Sequence, residues 1–487
     1  MTVLSVVIFL PLAAAALLVL PRLGRRAVLG IWIGAAAVDL ALVLVMWLGY
    51  GSGIAHETRL RWIPSIGAGY HVGVDGLSLP LIAMTAVLFL LCAVYSVRET
   101  RRPRAYAALF LFLQTVCTGL FAALDLLLFF VFFDLSIVGM YFLIVGWGHG
   151  EARRSALQFF LYTFLGSLVL LLGFIGLFLA GGTFDMVELI QNPPAASALV
   201  LLAIGLGLAI KTPTVPVHTW LPPAHTDAPA AGSAILAGVL LKMGTYGLVR
   251  IAMPMMPQAW RAYAWVIIIV GVVSVLYGAL AALAQENIKR LIAYTSVNHM
   301  GYIVLALGAA GLSSGASRAK DLAVTGAVTQ MVSHGLLTGA LFLLTGVLWD
   351  RARSYDAGRF GGIAANAPVF TALATVAAFG SLGLPGLSGF IAEFQIFIGV
   401  IGTGAIVAGA LSILGILITA ALFLRLLHRA FLGEPGELTG RMLEARPSEI
   451  AAVAPLLLLS LAIGIAPRWL LDLIEPASAL VVSWVSR

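Results

Sequence analysis

Seven ionisable side chains lie inside long apolar stretches of this 487-residue sequence. They are Asp39, Asp134, Lys211, Lys242, His299, His334 and Glu393. A lysine at the centre of a lipid bilayer costs about 3 kcal/mol or more unless it is paired or hydrated. Ionisable residues at such depth usually mark routes for ions or protons. These residues are therefore the candidates for proton or ion transfer.

Lys211 stands at a predicted break in an apolar helix. The run "ALVLLAIGLGLAI" is followed by "KTPTVPVHTWLP", in which Pro213 and Pro216 have no N–H to donate. The carbonyls of Ala209 and Thr212 are then expected to lose their helical partners, which lipid tolerates only where protein or water satisfies them. The sequence predicts a hydrated cavity here. A kink with a lysine that reaches the membrane interface is the alternative.

Lys242 and Asp134 lie near the middle of two other runs. Lys242 is central in "AILAGVLLKMGTYGLVR", from which the interface is harder to reach, and Asp134 is central in "FFVFFDLSIVGMYF". A buried acid is the natural partner of a buried base such as Lys211, because each favours the charged form of the other while burial favours both neutral forms. That balance would let Lys211 load and release a proton. A purely structural Asp–Lys pair is the alternative.

Glu393 accompanies a second predicted break. Gly383, Pro385, Gly386 and Gly389 interrupt the run "FGSLGLPGLSGFIAEFQIF". Two broken helices in corresponding places indicate an internal repeat with its sites at the repeat interface. A carboxylate that only caps the second half of the helix is the alternative.

Histidines occupy two of the intervening runs. His299 ("YTSVNHMGY") and His334 ("QMVSHGLLTG") could pass protons, since neutral imidazole both donates and accepts. A histidine that only bonds a neighbouring helix is the alternative for each. Asp39 lies outside the proposed repeats, and its partner is not evident from the sequence. Asp75, in "GVDGLSLPL", is expected to cap the third helix.

The elements that must position these residues are membrane helices. The chain is 61% hydrophobic and only 10% charged, whereas soluble domains carry roughly a quarter charged residues. Its apolar runs are near the ~20 residues that a spanning helix needs. We count fourteen, centred near residues 11, 39, 86, 114, 135, 168, 208, 239, 272, 298, 335, 382, 418 and 458. The predicted fold is therefore an all-α polytopic membrane protein.

The two breaks are five runs apart, which predicts two five-helix repeats. Because five is odd, the second repeat would be inverted. The expected organisation is helices 1–3 in residues 1–104, the first repeat (helices 4–8) in 105–252, the second (helices 9–13) in 258–432, and helix 14 with a C-terminal tail in 433–487. The longest polar loops are 51–73 and 433–448, too short for a soluble domain.

The basic residues indicate the orientation of the chain. More than twice as many lie in odd-numbered loops, where Arg22 and Lys289 are counted, as in even-numbered loops and the tail, where Arg250 and Arg487 are counted. The positive-inside rule then places both termini outside the cytoplasm. The net charge of +7 thus reflects topology, and no nucleic-acid partner is expected.

No residue pattern for a cofactor is evident. Cys92 and Cys117 both lie in apolar runs and are expected to be buried small hydrophobes. Without a CxxC motif, no thiolate iron–sulfur or zinc site is expected. The chain also lacks a glycine-rich phosphate loop and a GxSxG or HExxH motif. We therefore expect no redox, nucleotide or metal site in this chain.

Six segments resemble one known family. They are "HVGVDGLSLPLIAMTAVLF", "MYFLIVGWG", "KTPTVPVHTWLPPAHTDAPAAGSAILAGVLLKMGTYGLVR", "NIKRLIAYTSVNHMGYIVLALG", "GAVTQMVSHGLLTGALFLLTGVLWDR" and "GLPGLSGFIAEF". They are similar to the proton-translocating antiporter-like family, and within it to the M-type (chain 4) subunits of bacterial NADH:quinone oxidoreductase, complex I. The resemblance implies fourteen helices, inverted repeats, and breaks in the seventh and twelfth helices.

The resemblance also implies roles for the buried residues. Asp134, Lys211, Lys242 and Glu393 match the family's acid and lysine positions on helices 5, 7, 8 and 12. His299 and His334 match central histidines of a polar water chain. The family usually has glutamate where this chain has Asp134. Aspartate is one methylene shorter, so its interaction with Lys211 requires a close backbone approach or a bridging water.

The expected function is that of a proton-translocating subunit in the membrane arm of a respiratory NADH:quinone oxidoreductase. The chain would act as an enzyme only as part of that complex, with flavin and iron–sulfur clusters in partner subunits. Other antiporter-like subunits would lie on both sides, quinone would not bind here directly, and the location would be a bacterial inner membrane. The alternatives are a subunit of a multi-subunit cation/proton antiporter, or the membrane arm of a proton-pumping hydrogenase.

Overall fold

The structure, a computed structural model, describes residues 2–19, 23–315 and 317–486, so Arg22 and Arg487 lie outside the described residues. The described chain is mostly helical, and 11 of its helices are long and apolar enough to cross a membrane. The helices are α1 (Val3–Leu17), α2 (Arg25–Leu48), α3 (Ser78–Tyr95), α4 (Pro103–Ala122), α5 (Leu126–Trp147), α6 (Ala152–Gly181), α7 (Met186–Gln191), α8 (Ala198–Lys211), α9 (Leu221–Asp227), α10 (Ala230–Met255), α11 (Pro257–Ala262), α12 (Ala264–Leu283), α13 (Ile288–Ala310), α14 (Ser317–Ala352), α15 (Ile363–Asn366), α16 (Pro368–Ser381), α17 (Ser388–Gly402), α18 (Ile406–Phe431), α19 (Pro447–Ile465) and α20 (Arg468–Val485).

Both predicted helix breaks are present. The first separates α8 from α9 and contains Pro213 and Pro216; the second separates α16 from α17 and contains Pro385. In the second break Gly383 and Gly386 have φ of 79° and 95°. Residues with a Cβ rarely adopt such angles, so glycine is needed at both positions. The breaks therefore follow directly from the local sequence.

The core lies between α10, α13 and α14, which are buried along almost their whole length. Small residues allow their neighbours to approach closely, as is common between membrane helices. A Cβ on Gly301 of α13 would lie 2.7 Å from the Val275 nitrogen of α12, and one on Gly326 of α14 would lie 2.7 Å from the Ile396 nitrogen of α17. These three central helices carry Lys242, His299 and His334.

The predicted polar loop 51–73 is largely a β-hairpin. Strands β1 (Ala55–Ile63) and β2 (Ala68–Val74) pair antiparallel, with Arg59 opposite His71. The hairpin packs on the bundle through a hydrogen bond from the Leu124 N–H to the His71 carbonyl, 2.9 Å long. The hydroxyl of Thr2 lies 2.6 Å from that of Thr58. The first described residue therefore lies at the end of the bundle that carries the hairpin, called here the hairpin end.

The predicted C-terminal tail forms the amphipathic helix α20. Leu470, Ile474 and Val481 are buried against the bundle, whereas Asp472 and Glu475 are exposed. Gly76, just before α3, lies against the backbone of α20. Because Gly76 directly follows the hairpin, α20 also covers the hairpin end.

Candidate functional site

Lys211 is the last residue of α8 and is only 1% exposed. Its Nζ donates to Ser136 Oγ at 2.9 Å and lies 4.8 Å from the centre of the Phe133 ring. Asp134 is close by on α5, yet no ion pair within 4.0 Å joins the two residues, both of which the structure describes. Asp134 is partly exposed, and its Oδ1 has no hydrogen-bond partner in the described chain. Lys211 is thus bonded to Ser136 rather than to Asp134.

The backbone groups at the first break have protein partners. The Ala209 carbonyl, whose helical partner position is Pro213, accepts instead from the Thr214 N–H at 3.0 Å. The Ile210 carbonyl accepts from Trp220 Nε1 at 2.9 Å, and the Val215 N–H donates to Ser274 Oγ at 3.0 Å. Side chains on either side of the break therefore satisfy groups that lipid could not.

Lys242 lies between a backbone carbonyl and an imidazole. Its Nζ donates to the Ala237 carbonyl at 2.6 Å and lies 2.6 Å from His334 Nδ1. Ala237 belongs to a π-helical stretch of α10, Leu236–Leu240, and such stretches often occur at functional sites. When Lys242 is an ammonium, His334 Nδ1 accepts and Nε2 carries the imidazole proton. This contact is suited to proton exchange.

A small polar cavity adjoins this contact. Its volume is about 10 Å³, near the lower limit for one water molecule. It is lined by His299, Gln330, Ser333, His334, Leu337, Thr338, Gly380, Ser381, Gly389 and Glu393. Among the described residues, His334 Nε2, His299 Nδ1 and Gln330 Oε1 are buried without a partner. Four helices therefore line the cavity, and these three free hydrogen-bonding groups come from two of them, α13 and α14.

Glu393 and His299 are placed by the second break. Glu393 is 5% exposed, and a Cβ on Gly383 would clash with its Oε2. His299 Nε2 donates to the Ser381 carbonyl at 3.1 Å, a carbonyl at the end of α16. In the described chain no hydrogen bond joins Glu393 to a backbone N–H, which argues against the helix-cap alternative. The break thus makes room for the carboxylate and orients His299.

The site has two parts. Lys211, Ser136 and Asp134 form one on α5 and α8, and Lys242, the two histidines and Glu393 form the other. The parts are close where α10 passes the first break, since a Cβ on Gly244 would lie 2.7 Å from the Leu208 carbonyl. Within the described residues no hydrogen bond joins them directly. A proton that moves from one part to the other therefore needs water or a side-chain movement.

Two basic residues that the sequence assigns to loops lie inside helices. Arg250 and Lys289 were counted with the loops, but both are buried, in α10 and α13. Arg250 pairs with Asp75 at 2.5 Å, and Lys289 donates to the Ala228 carbonyl. The four-residue spacing from Lys242 through Tyr246 to Arg250 was a usable signal, because it places all three on one helix face.

Asp75 and Asp39, which lie outside the predicted repeats, have defined partners. Asp75 Oδ1 accepts from the N–H groups of Leu77 and Ser78, as its predicted capping role requires. Asp39 Oδ2 accepts from Gln114 Nε2 of α4 at 2.7 Å. Asp39 is completely buried and distant in sequence from both breaks. Its partner could not be named without the packing of α2 on α4.

The fold and site define a polytopic helical membrane protein with two broken helices and ionisable residues buried beside each break. The family described as "NADH:quinone oxidoreductase/Mrp antiporter, TM" matches residues 123–419, and the chain belongs to that family.

Individual relatives agree with that assignment. The chain is 35% identical to "NADH-quinone oxidoreductase subunit M" of Rickettsia prowazekii over 96% of both chains. A chain of respiratory complex I from Thermus thermophilus superposes with a TM-score of 0.90 at 29% identity, covering 99% of both. A chain of the Mrp complex from Dietzia sp. gives 0.88 at 23% identity over 100% of both, a likeness of fold alone.

Proposed function

We propose that this chain is a proton-translocating subunit in the membrane arm of a respiratory NADH:quinone oxidoreductase. The observation that carries the proposal is the 2.6 Å contact between Lys242 and His334 beside the cavity that Glu393 lines. Flavin and iron–sulfur clusters belong to partner subunits, whose redox chemistry supplies the driving force. The membership of the family supports this function.

The proposed proton route runs through named atoms. A change in the surroundings of Asp134 alters the contact between Lys211 Nζ and Ser136 Oγ. Lys211 then releases a proton toward Lys242. Lys242 Nζ gives its proton to His334 Nδ1 while His334 Nε2 releases one to water in the cavity. That water protonates Glu393, and His299 orders the same water. From Lys242 onward, each transfer moves one proton between groups that are joined directly or through one water, whereas the step from Lys211 to Lys242 needs water or a side-chain movement.

The proposed architecture has fourteen membrane crossings. Helices α4–α6, the broken pair α8/α9, and α10 form the first repeat; α12–α14, the broken pair α16/α17, and α18 form the inverted second. The matching positions of the breaks support this plan. The repeats then cover residues 103–255 and 264–431, so the expected divisions at 104 and 252 fall just inside α4 and α10, and the one at 432 falls at the end of α18.

The proposed orientation places the hairpin end outside the cytoplasm of a bacterial inner membrane. The distribution of basic residues supports it. Other antiporter-like subunits would flank the chain. Asp134 supports a partner at α5 and α6, because this ionisable residue is only partly buried while α6 carries lipid-facing side chains such as Leu165 (61% exposed), and such a residue is costly in lipid.

Capture of the chain from native membranes would test the proposal. A C-terminal tag on α20, mild detergent and an assay for NADH-driven quinone reduction are sufficient. We expect the eluate to reduce quinone and to contain flavin and iron. An assembly that lacks flavin and iron would contradict the proposal.

The second candidate function is cation/proton exchange in a multi-subunit antiporter without electron transfer. The likeness of fold to the Mrp complex chain favours retaining it. In that case the captured assembly, reconstituted in liposomes, would exchange Na⁺ for H⁺ without NADH.

A further inference from the structure

Three residues on one face of α10 lead from the middle of the bundle to the hairpin end. Lys242, Tyr246 and Arg250 follow at four-residue intervals, which spans about 12 Å along a helix. Tyr246 is 1% exposed and Arg250 is 4% exposed. The proton route proposed above does not use Tyr246 or Arg250.

These residues are held in a closed arrangement. Arg250 donates from Nε to Tyr246 Oη at 2.9 Å and from Nη2 to Asp75 Oδ1 at 2.5 Å. The Tyr246 hydroxyl donates in turn to the Phe121 carbonyl at 3.0 Å. Its single proton is thus directed at a backbone carbonyl, which has no proton to pass on. Among the described residues no hydrogen bond joins Lys242 to Tyr246, so the column offers no continuous hydrogen-bonded route for a proton.

A cavity of about 240 Å³ begins where the column ends. Asp75 and Arg250 form part of its wall, and Asp472, Pro476 and Leu480 of α20 form another part. This volume accommodates several water molecules. The Asp75–Arg250 pair therefore separates a space that water can fill from the buried Lys242.

The geometry of α10 departs from a regular α-helix at this place. Arg250 lies in a π-helical stretch of α10, Leu248–Ala252. With Leu236–Leu240, such a stretch lies on each side of Lys242. A π-helical turn carries one residue more than the α-helical pattern, and a return to the α pattern rotates the residues that follow. A shift of this kind would move the guanidinium relative to Asp75.

We propose that the Asp75–Arg250 pair, held by Tyr246, is the outer gate of the proton path and that the cavity beneath α20 is its vestibule. While the Asp75–Arg250 pair is intact, the guanidinium repels protons that enter from the vestibule. When the pair separates, protons leave through the vestibule. The inference rests on the proposed function. A pair that only fastens α3 to α10 is the structural alternative.

Two variants separate the alternatives. Asp75→Asn removes the charge but keeps an oxygen to cap α3, and Tyr246→Phe removes only the hydroxyl. Asp125→Asn is the control, because Asp125 caps α5 through the Leu127 and Leu128 N–H groups and no arginine among the described residues pairs with it; its Oδ2 accepts from the Gly69 N–H of the hairpin instead. Purified complex would be reconstituted in liposomes, and the decay of an imposed pH gradient and the protons moved per NADH would be measured.

We expect both gate variants to speed the decay severalfold and to lower the protons moved per NADH. Uncoupled quinone reduction would be retained, and Asp125→Asn would change neither quantity. Tight, fully coupled liposomes with assembled Tyr246→Phe complex would overturn the gate, even if Asp75→Asn failed to assemble. If the gate test failed and Lys211→Ala also left pumping normal, the proposed function itself would be wrong. If the gate test failed but Lys211→Ala abolished pumping, only the proposal of the gate would be wrong.

The vestibule has its own test. Cys92 and Cys117 are buried, so an introduced surface cysteine can be modified selectively. Leu480→Cys places a thiol in the cavity wall, and Ser483→Cys places one on α20 outside the wall. We expect a bulky maleimide, added before reconstitution, to lower pumping severalfold only in Leu480→Cys. Equal effects in both variants would overturn the vestibule.

Discussion

At the scale of single residues, Lys211 and Lys242 illustrate two ways of burying a cation. Lys211 has a hydroxyl and an aromatic ring near its Nζ, whereas Lys242 has a carbonyl and an imidazole. Neither has a carboxylate within 4.0 Å, and the structure describes the surroundings of both. A lysine without a fixed counter-ion is held less firmly in its charged form, which suits a proton carrier.

We predict that Lys211→Ala abolishes proton pumping coupled to quinone reduction while the complex still assembles. The reason is that alanine leaves no proton-binding group at the first break. Protons moved per NADH in liposomes measure the effect. Lys320→Ala, in the first turn of α14 and away from both breaks, is the control and should pump normally. Full coupling in an assembled Lys211→Ala complex would remove Lys211 from the route.

We predict that Asp134→Glu retains pumping and that Asp134→Ala does not. No ion pair within 4.0 Å joins Asp134 to Lys211, both of which the structure describes, and the longer glutamate keeps the charge while it extends the reach by one methylene. Coupled turnover of assembled complexes distinguishes the two variants. Equal turnover of both would show that the carboxylate is not needed.

At the scale of elements, the second break places Glu393 by means of a glycine. Gly383→Ala combines a backbone strain of about 1–2 kcal/mol at positive φ with a clash against Glu393 Oε2. We predict that it lowers pumping severalfold. Gly404→Ala, at φ 91° but with its nearest neighbour at 3.5 Å, carries the same strain without the clash. A similar loss in both variants would assign the effect to strain alone.

The hairpin is attached by a titratable contact outside the membrane-spanning segments. His71 Nδ1 lies 2.7 Å from Asp185 Oδ2, and Nε2 lies 2.8 Å from Glu57 Oε1. Burial lowers the pKa of His71, but hydrogen bonds and attraction from the two carboxylates outweigh it and raise the pKa above the usual 6.5. Burial raises the pKa of Asp185, but the His71 contact and other partners hold it below 3.8.

These shifts predict how the attachment depends on pH. The contribution of His71 is complete below pH 6.5 and is lost as the pH rises through its raised pKa. The contribution of Asp185 is present above pH 3.8 and is lost as the pH falls through its lowered pKa. We expect amide hydrogen exchange of the hairpin, corrected for intrinsic rates, to speed up on alkalinisation. His71→Gln should remove this dependence; an unchanged profile in that variant would contradict the assignment.

At the scale of the whole molecule, we predict the orientation in the membrane from the distribution of basic residues between the two ends of the bundle. Ser483 of α20 lies at the hairpin end, and Arg153, in the first turn of α6, lies at the other. Ser483→Cys should react with a membrane-impermeant thiol reagent in spheroplasts, and Arg153→Cys only in inverted vesicles. The reverse pattern would place the hairpin end in the cytoplasm.

The sequence by itself determined the helices, the two breaks and the buried candidates. Apolar runs of this length must form helices in lipid because the backbone has no other hydrogen-bond partners, and proline and glycine interrupt them for local steric reasons. The polar stretch 51–73 was harder to interpret, since a hairpin depends on what its strands pack against. The same holds for α20, whose amphipathic face needs the bundle beneath it.

Only the tertiary structure decided which buried groups meet. Asp134 was the expected partner of Lys211, but Ser136 takes that place; His334 binds Lys242 across 92 residues of sequence. The sequence assigns Arg250 and Lys289 to loops, but both are buried, because their depth depends on how far each helix extends into the bundle. Contacts between distant segments are fixed by the packing of whole helices, which local patterns of residues do not encode.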